Sequence, residues 1–114
     1  MKTNKINQIQ ALLLELREVN PDMNINMMLA LFEVAKGQGV TGKELEDKFD
    51  FPTATAARLL RYFDPINKEG RKGQALFDVR LDRIDYRAKL RFLNEEGEKL
   101  FDRLDTKLKT NQSQ

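Results

Sequence analysis

The chain has 114 residues and a mass of 13.3 kDa, enough for one hydrophobic core, so a single domain over residues 1–114 is expected. Charged residues make up 33% and hydrophobic residues 40%, with three prolines and six glycines, the balance of a chain that folds rather than of a disordered tail. It contains neither Cys nor His, which excludes a disulfide framework, a Cys/His zinc site, a thiol nucleophile and a Ser-His-Asp triad, so neither enzymatic activity nor a metal or cofactor is expected.

The first apolar pattern places Ile6, Ile9, Leu13 and Leu16 at steps of three and four, one stripe of a helix that ends before Asn20-Pro21. Leu12, Leu14 and Val19 widen that stripe, which leaves open whether a dimer partner or the chain itself covers it. A second helix is expected from Asn24, its N-cap, to Lys36. It carries Ile25, Met28, Leu29, Phe32 and Ala35 toward the core, with Gly37 or Gly39 as the stop. Thr41-Gly-Lys-Glu44 is a capping box and starts a short helix that turns Leu45 and Phe49 inward and ends near Asp50. Pro52 disfavours helix at the residue before it, and Thr53 can cap the next helix, Ala54 to about Phe63. Burial of Ala56, Leu59, Leu60 and Phe63 turns Ala54, Thr55, Arg58 and Arg61 to the opposite side or its flanks.

A capped short helix, a tight turn and a helix that begins with small polar residues and carries arginines behind them meet the needs of a helix-turn-helix. The major groove admits such a helix, and arginine can then read guanine or bind phosphate. A plain helical hairpin is the simpler reading of the same segment. After Asp64-Pro65 and a loop containing Gly70 and Gly73, the apolar period changes to two. Ala75, Phe77, Val79 and Leu81 alternate with polar positions and, after a break at Arg83-Ile84-Asp85, so do Ala88, Leu90 and Phe92. A two-stranded ribbon is marginal alone, so its apolar face is expected on the preceding helices. Arg80, Arg83, Arg87, Lys89 and Arg91 then occupy the other face and the tip. Asn94 can cap a last helix with Glu95 and Glu96 in its first turn and an apolar stripe of Leu100, Phe101, Leu104 and Leu108.

Charge is unevenly spread. From Arg58 to Arg91 there are ten basic and five acidic residues, a net of +5, which leaves −3 for the remainder of a chain whose total is +2. A basic stretch in a mildly acidic chain is what a phosphate-binding footprint looks like, although charged runs are commonly solvated surface. The longest apolar runs, Ala11 to Leu14 and Met27 to Phe32, are far short of the roughly 18 residues that cross a bilayer, and the start lacks a signal-peptide apolar region. No membrane partner and a cytoplasmic location are expected.

The order of elements is that of a winged helix-turn-helix, mostly α with a two- or three-stranded β wing. The stretch Asp85-Tyr-Arg87-Ala-Lys-Leu90-Arg-Phe-Leu93-Asn94-Glu-Glu-Gly97 resembles the wing-to-helix signature of MarR-type transcriptional regulators, D-x-R followed by alternating strand residues and then L-T-x-x-G, with Asn94 in place of Thr. Residues 25 to 63 also resemble that family's helix-turn-helix. The resemblance implies a homodimer joined by flanking helices over residues 1–19 and 95–109, with Ile6, Ile9, Leu13, Leu16, Leu104 and Leu108 in the joint. It further implies a recognition helix with Thr53, Ala54, Thr55, Arg58 and Arg61 in the major groove of double-stranded DNA, and a wing with Arg83 and Arg87 at the minor groove. Arg71, Lys72, Arg80 and Lys89 would serve as phosphate contacts. Asp85 would hold Arg87 in place, since a carboxylate facing phosphate repels. Family members often bind small aromatic ligands between the dimer helices and the DNA-binding lobe, but no residue here singles out such a ligand. Oxidant sensing through Cys is ruled out by composition. The function expected is a sequence-specific DNA-binding transcriptional regulator; the alternative is a winged helix used for protein contact, an accessory module that does not itself regulate transcription.

Overall fold

The computed structural model describes residues 1–65, 75–85 and 87–109. Among them are five helices and one hairpin: α1 (Thr3–Val19), α2 (Ile25–Ala35), α3 (Gly42–Phe49), α4 (Thr53–Tyr62), β1 (Phe77–Leu81), β2 (Lys89–Leu93) and α5 (Glu95–Lys109). Local chemistry sets the helix starts. Asn24 Oδ1 accepts from the Met27 N–H at 2.9 Å, and Thr41 and Glu44 form the reciprocal capping box, with 3.2 Å into the Thr41 hydroxyl and 3.1 Å into the Glu44 carboxylate.

The core joins Leu16 of α1, one face of α2, Leu45 of α3, the inner face of α4, Phe77 of β1 and Leu100 and Leu104 of α5. The face that α2 buries is not the expected one. Met27, Ala30, Leu31 and Val34 are buried, whereas Ile25 is 72% and Phe32 41% exposed. This helix has apolar residues on nearly every side, so periodicity cannot choose a face; packing against α4, β2 and α5 chooses it.

α1 lies along α5, joined by Arg103 Nε to Glu15 at 3.2 Å and by Gln8 Nε2 donating to the Leu108 carbonyl at 3.0 Å. That pairing divides the stripe expected for a dimer partner. Leu16 and Leu104 are 2% and 5% exposed, consumed by the chain's own core, so they do not belong to an outward joint. Ile6, Ile9, Leu13, Leu14 and Leu108 remain exposed.

The antiparallel register pairs Phe77 with Leu93, Val79 with Arg91 and Leu81 with Lys89. Val40 adds a single bridge on the other edge of β2, exchanging 3.1 and 2.9 Å hydrogen bonds with the Arg91 backbone. Because side chains alternate, Val79 and Leu81 share a face with Arg91 and Lys89, while Leu90 and Phe92 share the opposite face with Arg80 and Asp78. The wing therefore has no single apolar face to lay on the helices. Only its base is buried: Phe77 is fully buried, whereas Val79 and Leu81 are exposed.

At that base, Asn94 and Gly97 explain the Leu-Asn-x-x-Gly pattern. Asn94 Oδ1 accepts from the Gly97 N–H at 2.9 Å, its Nδ2 donates to the Ala75 carbonyl at 2.9 Å, and its backbone N–H donates to the Leu76 carbonyl at 2.8 Å. A Cβ on Gly97 would lie 2.5 Å from the Leu76 carbonyl oxygen and 2.9 Å from Leu93 Cδ2. Helix propensity favours Ala over Gly by about 0.5–1 kcal/mol, but overpacking against backbone costs about 1–3 kcal/mol, and the contact wins. Gly97→Ala is expected to lower the midpoint of thermal unfolding by several degrees; a rise would show that α5 can move away from the wing base.

Candidate nucleic-acid interface

α3 and α4 are joined by Asp50, Phe51 and Pro52. Asp50 takes the left-handed conformation, φ 58°, that ends α3, and Pro52 occupies the position before α4. Thr53 is consequently the first helical residue and not the cap. Its hydroxyl donates to Glu46 of α3 at 2.9 Å, fixing the start of α4 against the preceding helix. Ala56, Leu59, Leu60 and Phe63 are buried as expected, which leaves Thr53, Ala54, Arg58 and Arg61 exposed and Thr55 half-buried. Among the described residues neither Arg58 nor Arg61 has an ion-pair partner, so both guanidinium groups are available to an anion.

The end of α4 is bound to the base of the wing. The Phe63 carbonyl accepts from the Leu76 and Phe77 N–H groups, both at 2.9 Å, and the Phe63 and Phe77 rings lie 5.2 Å apart. One residue on, the Asp64 carboxylate receives both Arg91 Nη2 at 2.8 Å and Arg91 Nε at 3.2 Å. The two side chains are only 13% and 11% exposed. Sequence alternation placed Arg91 with the outward cations; the structure turns it inward, because the Val79 face of the ribbon meets the end of α4 at this point. Nothing in the spacing marks Asp64 and Arg91 as partners, 27 residues apart.

Beyond the base the wing projects its remaining cations. Arg80 lies over the Phe92 ring, 4.3 Å from guanidinium carbon to centroid, and that ring is seated on Gly39, where a Cβ would come within 2.8 Å of Phe92 Cζ. Arg83 and Lys89 are exposed. Asp85 Oδ1 accepts from the Arg87 N–H at 3.1 Å and from Arg87 Nε at 3.3 Å, the restraining role expected of it, while the Arg87 side chain stays 83% exposed. At the tip, Asp82 Oδ1 accepts from the Ile84 N–H at 2.9 Å. Arg71 and Lys72 lie outside the described residues.

A cavity of about 210 Å³ opens between the end of α1, the wing base and α5, lined by Glu18, Val19, Ala75, Leu76, Glu96, Leu100 and Arg103. This is smaller than the roughly 300 Å³ at which pockets for drug-sized ligands begin. Among the described residues, no group of three or more Asp or Glu is placed to hold a metal ion, and no helix is long and apolar enough to cross a membrane.

No family model and no curated protein sequence matches the chain. Solved structures do share its fold. Rv1404 from Mycobacterium tuberculosis superposes with a TM-score of 0.67 at 12% identity, over 92% of this chain and 66% of that one. The Staphylococcus aureus MepR–DNA complex gives 0.66 at 18% identity, over 96% and 84%. A MarR transcriptional regulator from Methanosarcina mazei gives 0.63 at 17% identity, over 91% and 67%. This chain thus spans about two thirds to four fifths of the length of those proteins. The fold that this chain shares with them is a winged helix like that of the MarR transcriptional regulator.

The two wing-region ion pairs differ in setting, and that difference is measurable. A double-mutant cycle on Asp64→Asn and Arg91→Gln in urea unfolding is expected to give a coupling of about 1–3 kcal/mol. The same cycle on the exposed Asp85 and Arg87 pair is expected to stay below about 0.5 kcal/mol. Equal couplings would mean that the Asp64 to Arg91 contact is solvated.

Proposed function

We propose that this MarR-type winged helix is a sequence-specific double-stranded DNA-binding transcriptional regulator that acts in the cytoplasm as a homodimer on an inverted repeat. The observation that carries the reading is the open outer face of α4, with Arg58 and Arg61 free of acidic partners among the described residues, next to a wing that projects Arg80, Arg83, Arg87 and Lys89. The likeness to MepR in complex with DNA supports it. α4 enters the major groove, where Thr53, Thr55 and Arg58 meet base edges, with Arg61 behind them. The wing tip follows the adjacent minor groove, and Arg80, Lys89, Arg71 and Lys72 contact phosphate. The single domain pairs through α1 and α5, whose exposed Ile6, Ile9, Leu13, Leu14 and Leu108 form an apolar surface, and half-sites lie about 10 bp apart.

Selection of bound sites from random duplex DNA at two salt concentrations tests this directly. A palindromic consensus is expected, and a pool that never enriches would defeat the reading. Arg58→Ala should cost about 1–3 kcal/mol and relax base preference at one position, whereas Lys89→Ala should weaken all sequences alike and lower the salt slope by about 1. For the pairing surface, Leu13→Asp is expected to convert a two-chain species to one chain in sedimentation at micromolar concentration while the fold persists. A one-chain wild type, or a two-chain variant, would place the joint elsewhere.

A further inference from the structure

Among the described residues Arg91 is the wing cation that does not face solvent. Its backbone joins Val40, between α2 and α3, its strand partner is Val79, and its guanidinium grips Asp64 just beyond α4. One residue thus ties together the two-stranded ribbon, the start of the helix-turn-helix and the end of the proposed reading helix. Two parallel N–H···O bonds from a planar fork also fix orientation, which a single contact does not.

We infer that Asp64 and Arg91 are positioning residues for DNA binding: their buried fork sets the angle of the wing to α4, and so whether one duplex can meet both at once. This rests on the DNA-binding reading for its purpose, though not for its mechanics. Neither residue touches DNA in this arrangement. Val79 and Leu81 pack on no core, so above the Phe63 junction the described contacts that hold the wing to the rest of the chain are this fork, the Val40 bridge to the Arg91 backbone and the Phe92 ring on Gly39, and of these the fork alone reaches the end of α4. The pair's electrostatic and mechanical effects have opposite signs. Asp64→Asn removes a negative charge near the proposed phosphate path, so charge alone would tighten binding; loss of the fork would loosen it.

The test uses that opposition. Because the chain has no Cys, spin labels on R61C and L81C report the distance from α4 to the wing, with unlabelled chain added in excess to isolate distances within one molecule. A narrow distribution is expected for the parent and a broadened one for Asp64→Asn. In titrations of a mixed-sequence duplex of about three helical turns between about 50 and 200 mM salt, Asp64→Asn is expected to weaken binding about tenfold and to flatten the salt slope by about 2 per chain as the wing contacts are lost. Asp64→Glu keeps the charge but lengthens the arm. It should shift the distance and weaken binding in the same direction, and it carries the test if circular dichroism shows the Asn variant unfolded. An unchanged distance with equal or tighter binding would overturn the inference. A distance that broadens in a protein that never binds the duplex would uphold the splint and remove the DNA reading instead.

Discussion

The carbonyl of Phe63 accepts two backbone N–H groups at the wing base, and the attachment of the wing to the end of α4 depends on that junction. A helix end normally leaves carbonyls to solvent. Here the last turn of α4 is finished by the wing, the aromatic pair of Phe63 and Phe77 seals it, and Asp64 continues it through Arg91. The end of α4 and the ribbon are thereby joined by backbone bonding, apolar contact and an ion pair within a few residues of one another. Each contribution is modest alone; their convergence leaves the wing base few ways to move.

The rest of the wing is a different kind of object. With Leu90 and Phe92 on one face and Val79 and Leu81 on the other, it cannot be a flap lying on the core. It is held at its root and stands into solvent, with Phe92 seated on Gly39 as a lateral prop and Arg80 stacked over that ring. The aspartates of the tip, Asp82 and Asp85, tie down local N–H groups and Arg87, so they shape the turn rather than oppose its charge outright.

What was legible in the sequence was local. Asn24, the Thr41 and Glu44 box, Asn94 and the inner face of α4 follow from side chains that act within a few residues, and each is where its chemistry places it. The turn into α4 was nearly so, displaced by one residue because Glu46 captures the Thr53 hydroxyl from the neighbouring helix. Features set by distant partners were not legible. The buried face of α2, the assignment of Leu16 and Leu104 to the chain's own core, and the inward turn of Arg91 each depend on which element lies opposite. Alternation within a strand says which residues share a side, but two strands paired by register decide whether their apolar sides coincide, and here they do not.

Asn94 stands where the resembled pattern has Thr, and the substitution has a mechanical result. A carboxamide has an acceptor at one end and a donor at the other, so it can begin α5 and grip the Ala75 carbonyl at the same time. A hydroxyl at the same Cα has a single oxygen for both tasks. The first turn of α5 and the segment leading into β1 are consequently riveted through one side chain, a single carboxamide serving both.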